Sequence, residues 1–383
     1  MVRKLVTTIL GLALFLTGTP TVARAVPAFA KKYNLPCSGC HTIWPMLNEF
    51  GRKFKEYGYR LSPDQELSDQ EHVKALGMSL FKGNPLAVRV VGFLADKKKE
   101  GELKIRPFHE AEVFIAGNVL EKISAFVEFE AEDEEGWKPA GEMGKVGFHP
   151  RPEVNVVAGY GSVLTADPYQ PLNHSQFTRA MPMVVHHGFV ADQPLGESTP
   201  FISVYGRVAR RLFYLATVST GVGDLEGEDK KDWTARLAVD VTRNVTVGGL
   251  ALEGRKAVGE EETQKYRRLG VDFQVQFYRW SVMGAYLRAS DEMGPGGPRQ
   301  KDHVLYAQAY YIFFQQGRRP LVTPIVRIEN YSMEGMKYTD GLVNLTVFPW
   351  ENVKFAVEFW TNLSVPEGVS KSNRISFIVD TAF

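Results

Sequence analysis

The residues best suited to chemistry are the chain's only two cysteines, Cys37 and Cys40, together with His41 directly after them. Cys-Ser-Gly-Cys-His fits the C-x-x-C-H signature for covalent attachment of a c-type haem. In that arrangement the two thiols add to the haem vinyl groups, and the histidine lies under the iron as proximal axial ligand. The motif therefore predicts one covalent haem c bound by Cys37, Cys40 and His41, with His41 as the metal ligand.

Three other uses of a closely spaced cysteine pair are a local disulfide, a thioredoxin-like redox pair and half of a zinc site. A four-ligand zinc site needs more ligands at metal spacing, and the chain has no second cysteine pair. A thioredoxin-like pair needs a surrounding βαβ pattern, which the sequence does not show. We favour haem, because the export signal described below would also bring the chain to the compartment where c-type haem is attached.

A short helix is predicted directly after the motif. Pro45 is compatible with the first turn of a helix, and Leu47, Phe50, Phe54 and Tyr57 then recur at steps of three and four residues. This spacing places the four side chains on one apolar face. We expect that face to cover the haem.

A second helix is predicted from Ser68 to about Phe81. Glu71 follows Ser68 by three residues, which is the spacing of a capping box. Gly83 and Pro85 then end the helix.

The sixth iron ligand is not decided by the sequence. Met78, on the second predicted helix, is the candidate that we carry forward as a haem-binding and iron-ligating residue. His72, Met46 and a histidine of the long loop described below are the alternatives. A methionine would raise the reduction potential relative to a second histidine, whereas an open position would permit small-ligand chemistry.

The first residues have the features of an export signal. Arg3 and Lys4 give a positive start, residues 5–16 form an apolar run, and residues 23–25 (Ala-Arg-Ala) are an A-x-A cleavage site. The apolar run is shorter than the ~20 residues of a membrane helix, so we predict a cleaved signal rather than an anchor. Residues 28–30 (Ala-Phe-Ala) offer a second cut.

Charge excludes one class of partner. The formal net charge is +1, but three of the 45 basic residues lie in the leader (Arg3, Lys4 and Arg24), which leaves 42 basic against 44 acidic residues, or −2. A chain this balanced has no global attraction to nucleic acid. We recognise no nucleophile with a nearby base and no phosphate-binding glycine loop. We therefore predict no nucleic-acid partner and no enzyme.

From Leu86 onward, apolar and polar residues alternate. Over residues 269–277 every odd position is apolar and the even positions hold Gly, Asp or Gln, and residues 235–241 and 353–359 follow the same pattern. Segments of about ten residues with one apolar and one polar face are typical of transmembrane β-strands. One-sided sheets of soluble proteins share this pattern.

The order of the connections favours a membrane barrel. Sixteen strands are predicted, and their connections alternate long and short, as in outer-membrane barrels with long loops on one rim and tight turns on the other. The predicted strands lie near 86–95, 105–116, 122–131, 141–149, 152–160, 200–207, 209–219, 233–242, 245–254, 266–277, 279–289, 302–314, 320–331, 340–348, 352–360 and 373–383. The predicted long connections include 96–104, 220–232, 255–265, 290–301 and 361–372.

Aromatic residues also favour a barrel. The chain ends in Phe383 after Ile375, Phe377 and Val379 at every second position, which resembles the assembly signal of bacterial outer-membrane barrels. Several rings lie at predicted strand ends, as the interfacial girdles of such barrels require: Tyr278, Trp280, Trp350 and Trp360.

The longest predicted connection is residues 161–199, and a segment this long between strands is usually functional or disordered. In a sixteen-strand barrel it could fold inward and narrow the pore, and its histidines could contact the haem or bind a metal; a polar surface loop is the alternative. Its candidate ligands are His174, Met181, Met183, His186 and His187. The strands supply lumen candidates of mixed sign, which argues against strong selectivity for one ion type: Arg236, Asp240, Arg268, Asp272, Arg327, Glu329, Lys354 and Glu358.

The residues around the haem motif resemble a known group of proteins. Residues 27–33, the motif at 37–41, residues 47–51 (Leu-Asn-Glu-Phe-Gly) and residues 58–59 (Gly-Tyr) look like the start of the mono-haem outer-membrane cytochrome c-domain proteins of metal-reducing and related bacteria. The resemblance covers roughly residues 26–60. It implies the haem ligation given above, and it supplies no distal ligand.

The later part of the chain resembles, more loosely, the sixteen-stranded phosphate-selective-type porins. The similarity lies over residues 154–161, followed by the long loop, and over residues 206–221. The arginine ladder expected of a phosphate-selective pore is not evident, so phosphate specificity does not follow.

Together these features predict an all-β chain with a small α domain: a signal peptide (1–25), a mono-haem cytochrome c domain (26–85) facing the periplasm, and an outer-membrane β-barrel (86–383). The predicted function is electron transfer at the bacterial outer membrane. One haem cannot bridge a barrel band ~25 Å tall, so we expect other cytochromes or a small redox shuttle as partners, besides outer-membrane lipid; a homotrimer is possible. The alternatives are a solute-conducting porin whose haem is a structural plug or redox sensor, and a soluble periplasmic cytochrome with a β-rich partner domain.

Overall fold

The computed structural model describes residues 28–64, 72–75, 78–81, 85–172, 178–221, 231–258, 262–315 and 319–383. The predicted signal peptide and His174 of the long loop lie outside these residues. Among the described residues, no helix is both long and apolar enough to cross a bilayer.

Sixteen antiparallel strands, β1 to β16, form one closed barrel, and each pairs with its neighbours along the chain. The predicted barrel is confirmed. The strands are β1 (Leu86–Lys98), β2 (Lys104–Leu120), β3 (Ile123–Glu132), β4 (Ala140–Arg151), β5 (Val154–Gly161), β6 (Thr199–Val208), β7 (Leu212–Thr220), β8 (Lys231–Thr242), β9 (Val245–Val258), β10 (Glu262–Phe277), β11 (Trp280–Glu292), β12 (Arg299–Tyr311, continued by Phe313–Phe314), β13 (Pro320–Met333), β14 (Met336–Trp350), β15 (Val353–Ser364) and β16 (Asn373–Ala382).

The barrel closes between its last strand and its first. Arg374 of β16 lies opposite Lys98 of β1, and the pairing continues along both strands. The C-terminal Phe383 extends it, because Val88 and Phe383 exchange backbone hydrogen bonds of 2.7 and 2.8 Å. The apolar alternation at the end of the chain therefore belongs to the strand that removes the free sheet edge.

The alternation along each strand separates the outside of the barrel from its lumen. On β10, Leu269 and Val271 face outward and are 41% and 58% exposed, whereas Asp272 and Gln274 face inward and are buried. An outer wall of aliphatic side chains with a polar interior is the arrangement of membrane barrels.

Aromatic rings gather on the outside of one rim. The ring of Trp280 lies 4.7 Å from that of Tyr311, which lies 4.7 Å from that of Phe313, and Tyr278 and Phe314 are 5.9 Å apart. The predicted position of Tyr278 and Trp280 at a strand end is confirmed, and such rings suit a membrane interface.

One rim has only turns of two to five residues, whereas the longest connections lie at the opposite rim. The strands are joined at the short-turn rim across 121–122, 152–153, 209–211, 243–244, 278–279, 315–319 and 351–352, and at the opposite rim across 99–103, 133–139, 162–198, 221–230, 259–261, 293–298, 334–335 and 365–372. The predicted long loop at 255–265 is wrong. β9 and β10 pair as far as Val258 and Glu262, because the inward side chains of Gln264 and Tyr266 continue the buried face of β10.

Among the described residues ahead of the barrel lie three short helices and two strand pairs. The helices are α1 (Ala28–Tyr33), α2 (Cys37–Cys40) and α3 (Glu49–Glu56). The strands His41–Ile43 and Met46–Leu47 pair with each other and are called here the ligand hairpin. The helix predicted after Pro45 is confirmed as α3, but it begins after Asn48 because that side chain caps it.

The helix predicted over residues 68–81 is wrong. His72–Ala75 and Met78–Phe81 are antiparallel strands, with His72 opposite Phe81. Gly77 lies between the two strands in the sequence. Glycine costs ~1 kcal/mol in a helix interior and is favoured in tight hairpins, so the capping signal at Ser68 was outweighed.

Residues 162–172 and 178–198, called here the inner loop, fold into the lumen and include α4 (Met183–His186). One buried apolar cluster joins Ile43 and Met46 of the ligand hairpin to Tyr169 and Val185 of the inner loop and to Phe213 of the barrel wall. This segment therefore packs inside the barrel, and is not a polar loop on its surface. The haem motif is packed against it.

Candidate haem site

α2 is a single helical turn that holds both cysteines. Cys37 and Cys40 are its first and last residues, and both are half-buried free thiols. Pro36 before them has extended backbone (φ −69°, ψ 159°), so the turn begins at the first cysteine. Residues three apart in a helical turn lie on one face, and the two thiols can therefore serve one ligand.

His41 leaves α2 in an extended conformation and opens the ligand hairpin. Its Nδ1 lies 3.0 Å from the carbonyl oxygen of Pro45 across the hairpin. Because a carbonyl only accepts, Nδ1 carries the proton and donates it, which leaves the ring's lone pair on Nε2. This tautomer suits binding of iron through Nε2, with the second nitrogen fixing the ring orientation.

Asn48 ties α2 to α3. Its Oδ1 accepts from the N–H of Gly51 (2.9 Å), while its Nδ2 donates to the carbonyls of Gly39 (2.9 Å) and Ser38 (3.3 Å). Its own N–H donates to the Cys40 carbonyl (2.9 Å). One side chain thus satisfies orphan groups at the end of one helix and the start of the next.

Gly51 is where α3 crosses α2. A Cβ added to Gly51 would lie 2.1 Å from the carbonyl oxygen of Cys40 and 3.0 Å from a methyl group of Leu47. No side chain fits that gap, so the close approach of the two helices requires glycine. The Leu-Asn-Glu-Phe-Gly segment of the sequence has its physical explanation in these contacts.

A barrel residue holds the start of α2. Glu351 lies in the turn between β14 and β15, and its carboxylate accepts from the N–H of Cys37 (2.8 Å) and the hydroxyl of Ser38 (3.0 Å). A carboxylate at a helix start satisfies orphan N–H groups. Glu351 follows Cys37 by 314 positions, and no local pattern in the sequence signals the contact.

Burial dominates the protonation of the three predicted haem residues. It raises the pKa of Cys37 to about 12, with the negative charge of Glu351 adding to the rise, and it raises the pKa of Cys40 to about 11. It lowers the pKa of His41 to about 4, which the hydrogen bond to Pro45 partly opposes. At neutral pH the cysteines are thiols and the imidazole is neutral.

A buried ion pair fixes α3 to the barrel wall. Glu56, the last residue of α3, is 4% exposed and accepts from Arg207 of β6 through both carboxylate oxygens, one at 2.8 Å from Nε. Arg207 also donates to Asp240 (2.6 Å) and to the hydroxyl of Tyr169 (2.9 Å). Removing one partner of a buried pair costs ~3–5 kcal/mol, so this network holds the N-terminal segment, the inner loop and the wall in one arrangement.

Residues 58–60, which follow α3, are held at the short-turn rim of the barrel. Asn118, near the end of β2, donates to the carbonyl of Gly58 (2.7 Å), and Arg60 donates to the carbonyl of His149 on β4 (3.1 Å). These contacts and that of Glu351 all lie where strands meet the short-turn rim. The haem motif therefore lies in the mouth of the barrel at that rim.

The predicted apolar face of α3 is divided between two surroundings. Phe54 packs against the ring of Phe29, with ring centres 5.1 Å apart, and against Tyr33 and Tyr59. Leu47 instead lines the lumen cavity beside His41. Of the four side chains expected to cover the haem, Leu47 lies next to the predicted iron ligand, whereas Phe54 packs within the N-terminal segment.

A cavity of about 880 Å³ is left in the lumen beside the inner loop. His41, Trp44 and Leu47 are among the residues that line it, whereas Cys37 and Cys40 are not. The amine of Lys354 lies 4.4 Å, and the guanidinium of Arg89 5.5 Å, from the centre of the Trp44 ring. Pockets for cofactors are roughly 300–1,000 Å³, so the cavity offers room for a porphyrin next to His41.

The predicted lumen residues face inward, and several bind the inner loop. Arg236 donates to Asp167 of that loop (2.7 Å), and Glu358 accepts from the N–H groups of Arg179 and Ala180 (2.9 Å each). Ion pairs along the wall involve Arg236 again and most of the remaining lumen residues: Arg236–Asp272, Arg268–Asp291, Arg327–Glu329, Lys354–Asp380 and Arg207–Asp240. The wall thus holds the loop through matched charges.

The three sixth-ligand candidates near the N-terminus lie on two different strand pairs. Met46 is fully buried in the apolar cluster shared with the inner loop. Met78 and His72 lie on the strand pair at 72–81, and the described structure gives their backbone alone. Met78 therefore stays a prediction as an iron ligand.

The inner-loop candidates have different surroundings. Met181 lines the same cavity as His41. His187 is buried against the rings of Phe189 and Tyr331, and His186 is exposed. His174 lies outside the described residues.

The residues that the structure brings together fit a c-type haem. Cys37 and Cys40 lie one turn apart as free thiols, His41 has its lone pair on Nε2, and a cavity of sufficient size adjoins the ring. When bound there, the group supplies one-electron transfer between its ferrous and ferric states. Glu351 is a positioning residue that no sequence pattern indicated, whereas Asn48 stands in the Leu-Asn-Glu-Phe-Gly segment but its contacts were not predicted.

No protein-family model and no curated protein sequence matches this chain. Solved porins are nevertheless similar in structure. Salmonella typhi OmpF, in complex with daunomycin, aligns with a TM-score of 0.61 at 10% identity over 83% of this chain and 100% of OmpF. The anion-selective porin of Comamonas acidovorans gives 0.58 at 11% identity over 78% and 98%. The trimer form of Vibrio cholerae OmpT gives 0.57 at 10% identity over 78% and 98%. The barrel has the porin fold.

Gly51→Ala tests the crossing of α2 and α3. The added Cβ meets the Cys40 carbonyl, and such overpacking costs ~1–3 kcal/mol, so we expect α3 to shift and covalent haem per chain to fall to less than about half. Absorbance of the purified full chain measures the haem. The matched control is Gly39→Ala, whose Cβ would lie 3.7 Å from the nearest atom. Equal haem content in both variants would contradict the positioning role of Gly51.

Proposed function

We propose that the chain is an outer-membrane channel of the porin type, narrowed by its inner loop and plugged in part by an N-terminal segment that carries one c-type haem. The observation that carries the proposal is the apolar cluster that joins Ile43 and Met46 to the inner loop inside the lumen. The haem-bearing segment is then part of the channel's mouth. Glu351 and the Glu56–Arg207 pair attach it there.

The proposed location follows from the outer surface. Aliphatic side chains cover the wall and aromatic rings lie at the short-turn rim, which suits a bilayer and its interface. Tight turns face the periplasm in outer-membrane barrels, so the haem segment would lie on the periplasmic side. We extend the proposal to a homotrimer, since Vibrio cholerae OmpT has a trimer form.

The proposed cargo is small and hydrophilic. The cavity wall carries acidic side chains such as Glu110 and Glu128 together with the basic side chains of Arg89, Arg179 and Lys354. Charges of both signs in a narrow passage favour small polar solutes without a strong preference for one ion type.

Glu358→Gln tests the inner loop as the element that narrows the channel. Hydrogen bonds to a charged group are worth ~1.5–3 kcal/mol each, so the loss of charge loosens the loop at residues 179 and 180. In planar bilayers we expect a small wild-type conductance that rises about twofold or more in the variant, because ion flow follows the open cross-section. Glu367→Gln, on the exposed 365–372 connection, is the charge-matched control and should leave conductance unchanged. Equal conductance in all three proteins would refute the role of the loop.

Electron transfer at the outer membrane is the second candidate function. The observation that favours it is the position of His41 at the wall of the lumen cavity, where a redox-active group would meet whatever enters the channel. Another cytochrome, or a small redox shuttle passing through the lumen, would be the partner. Pro45 would orient the haem through its hydrogen bond to His41, and Asn48 through its bonds to the turn that holds the cysteines. The redox partner would bind at the short-turn rim.

Liposomes that trap a reductant, with ferric iron outside, test the second candidate. We expect the wild type to reduce external iron faster than a Cys37→Ala/Cys40→Ala double variant, which keeps the barrel but has no thiol to hold the haem. The initial rate of ferrous iron formation is the measurement. Equal rates for the two proteins would remove the electron-transfer role and leave the channel proposal standing.

A further inference from the structure

An acidic cluster lies on the lumen face of β2 and β3, in the wall of the cavity that His41 also lines. Glu110 is directly opposite Glu132, and Glu112 is directly opposite Glu130. All four side chains line the lumen cavity. Like charges directly opposite each other destabilise a strand pair, and two such pairs in succession call for a compensating positive charge.

The protein itself compensates this charge only in part. Arg89 contacts Glu110 (3.3 Å) and Glu112 (2.5 Å), but the same guanidinium also binds Asp380 (3.0 Å). Within the described ranges, no salt bridge reaches Glu130 or Glu132. One arginine is thus shared by three carboxylates, and among the described residues Glu130 and Glu132 have no basic partner beside this partly enclosed cavity.

One buried carboxylate oxygen has no partner. Glu112 is 6% exposed, and its Oε2 receives no hydrogen bond from the part of the chain that the structure describes. An unsatisfied buried carboxylate oxygen is costly. One carboxylate oxygen from each of Glu110, Glu112 and Glu130 lies within 4.8 Å of the other two, so a single ion could reach all three residues.

His109 lies beside this cluster but is engaged elsewhere. A second group of His109, Glu110 and Glu132 also lies within 4.8 Å. However, His109 Nδ1 lies 2.9 Å from Asp133 and 2.6 Å from the guanidinium of Arg106. Because Nδ1 of His109 is already engaged by these two groups, whereas Oε2 of Glu112 has no partner among the described residues, the carboxylate trio is the better site.

We propose that Glu110, Glu112 and Glu130 bind a divalent cation in the lumen, bridging β2 and β3. Three carboxylates with room for water are the ligands that hard divalent ions such as Ca²⁺, Mg²⁺ and Mn²⁺ prefer. The ion would satisfy Oε2 of Glu112 and offset the facing glutamates. The site goes beyond the proposed function, because it requires neither haem nor conductance.

Mn²⁺ is the probe for this site, since its free ion gives an electron paramagnetic resonance signal that binding removes. The full chain is freed of metal with a chelator in detergent and titrated with MnCl₂. We expect one Mn²⁺ per chain, retained at a salt concentration where the Debye length is only ~3 Å and diffuse attraction is screened, and displaced by Ca²⁺. A wild-type protein that binds no Mn²⁺ would overturn the proposal.

Three substitutions separate a built site from a merely acidic lumen. Glu110→Gln and Glu130→Gln should each lower Mn²⁺ affinity by about tenfold or more, as expected for loss of a direct ligand. Glu142→Gln removes the same charge from the same cavity and should change affinity by less than about threefold. Glu110→Gln removes an ion pair with Arg89 and could prevent folding of the barrel. Glu130 forms no salt bridge with Arg89 among the described residues, so Glu130→Gln tests the site without that loss. Equal losses in all three variants, or none, would refute the site.

Discussion

A sixteen-strand barrel encloses more space than the side chains of its wall can fill, and this constraint governs the rest of the molecule. Polar groups that face the lumen must find partners when the lumen is narrowed. The inner loop provides them: Asp167 accepts from Arg236, while the N–H groups of Met183 and Ala191 donate to Glu329 and Asp291. The loop is therefore a built-in part of the wall.

The haem motif takes its position from that loop. The side chain of Gln170 donates to the carbonyl of Leu47 (3.1 Å), and Lys55 donates to the carbonyl of Asp167 (2.7 Å). Ile43 and Met46 complete the same apolar cluster. The inner loop and the ligand hairpin form one packed unit. A substitution in the loop is therefore expected to move His41, and a substitution in the hairpin is expected to move the loop.

Much of the barrel was predictable because a strand's two faces meet two different environments at every second residue. The C-x-x-C-H motif was predictable for a similar reason, since its chemistry is local. Contacts between residues distant in the sequence were not predictable. No pattern of neighbouring residues marks Glu351, Arg207 or Glu56, because their contacts form only when the barrel has closed. Gly51 stood in a recognisable segment. The reason for glycine there depends on the fold, because an added Cβ would lie 2.1 Å from the carbonyl oxygen of Cys40. The helix predicted over 68–81 is wrong because Gly77 favours a turn between two strands, and the capping signal at Ser68 concerns only the first turn of a helix.

The proposed function depends on a porphyrin joined covalently to Cys37 and Cys40 at the mouth of this barrel. The most direct measurement is the visible spectrum of the purified full chain before and after acid–acetone extraction, which removes haem that is not covalently bound. A Soret band that stays with the polypeptide, at one haem per chain, is the predicted result. A colourless protein, or a band that leaves with the acetone, would contradict the account.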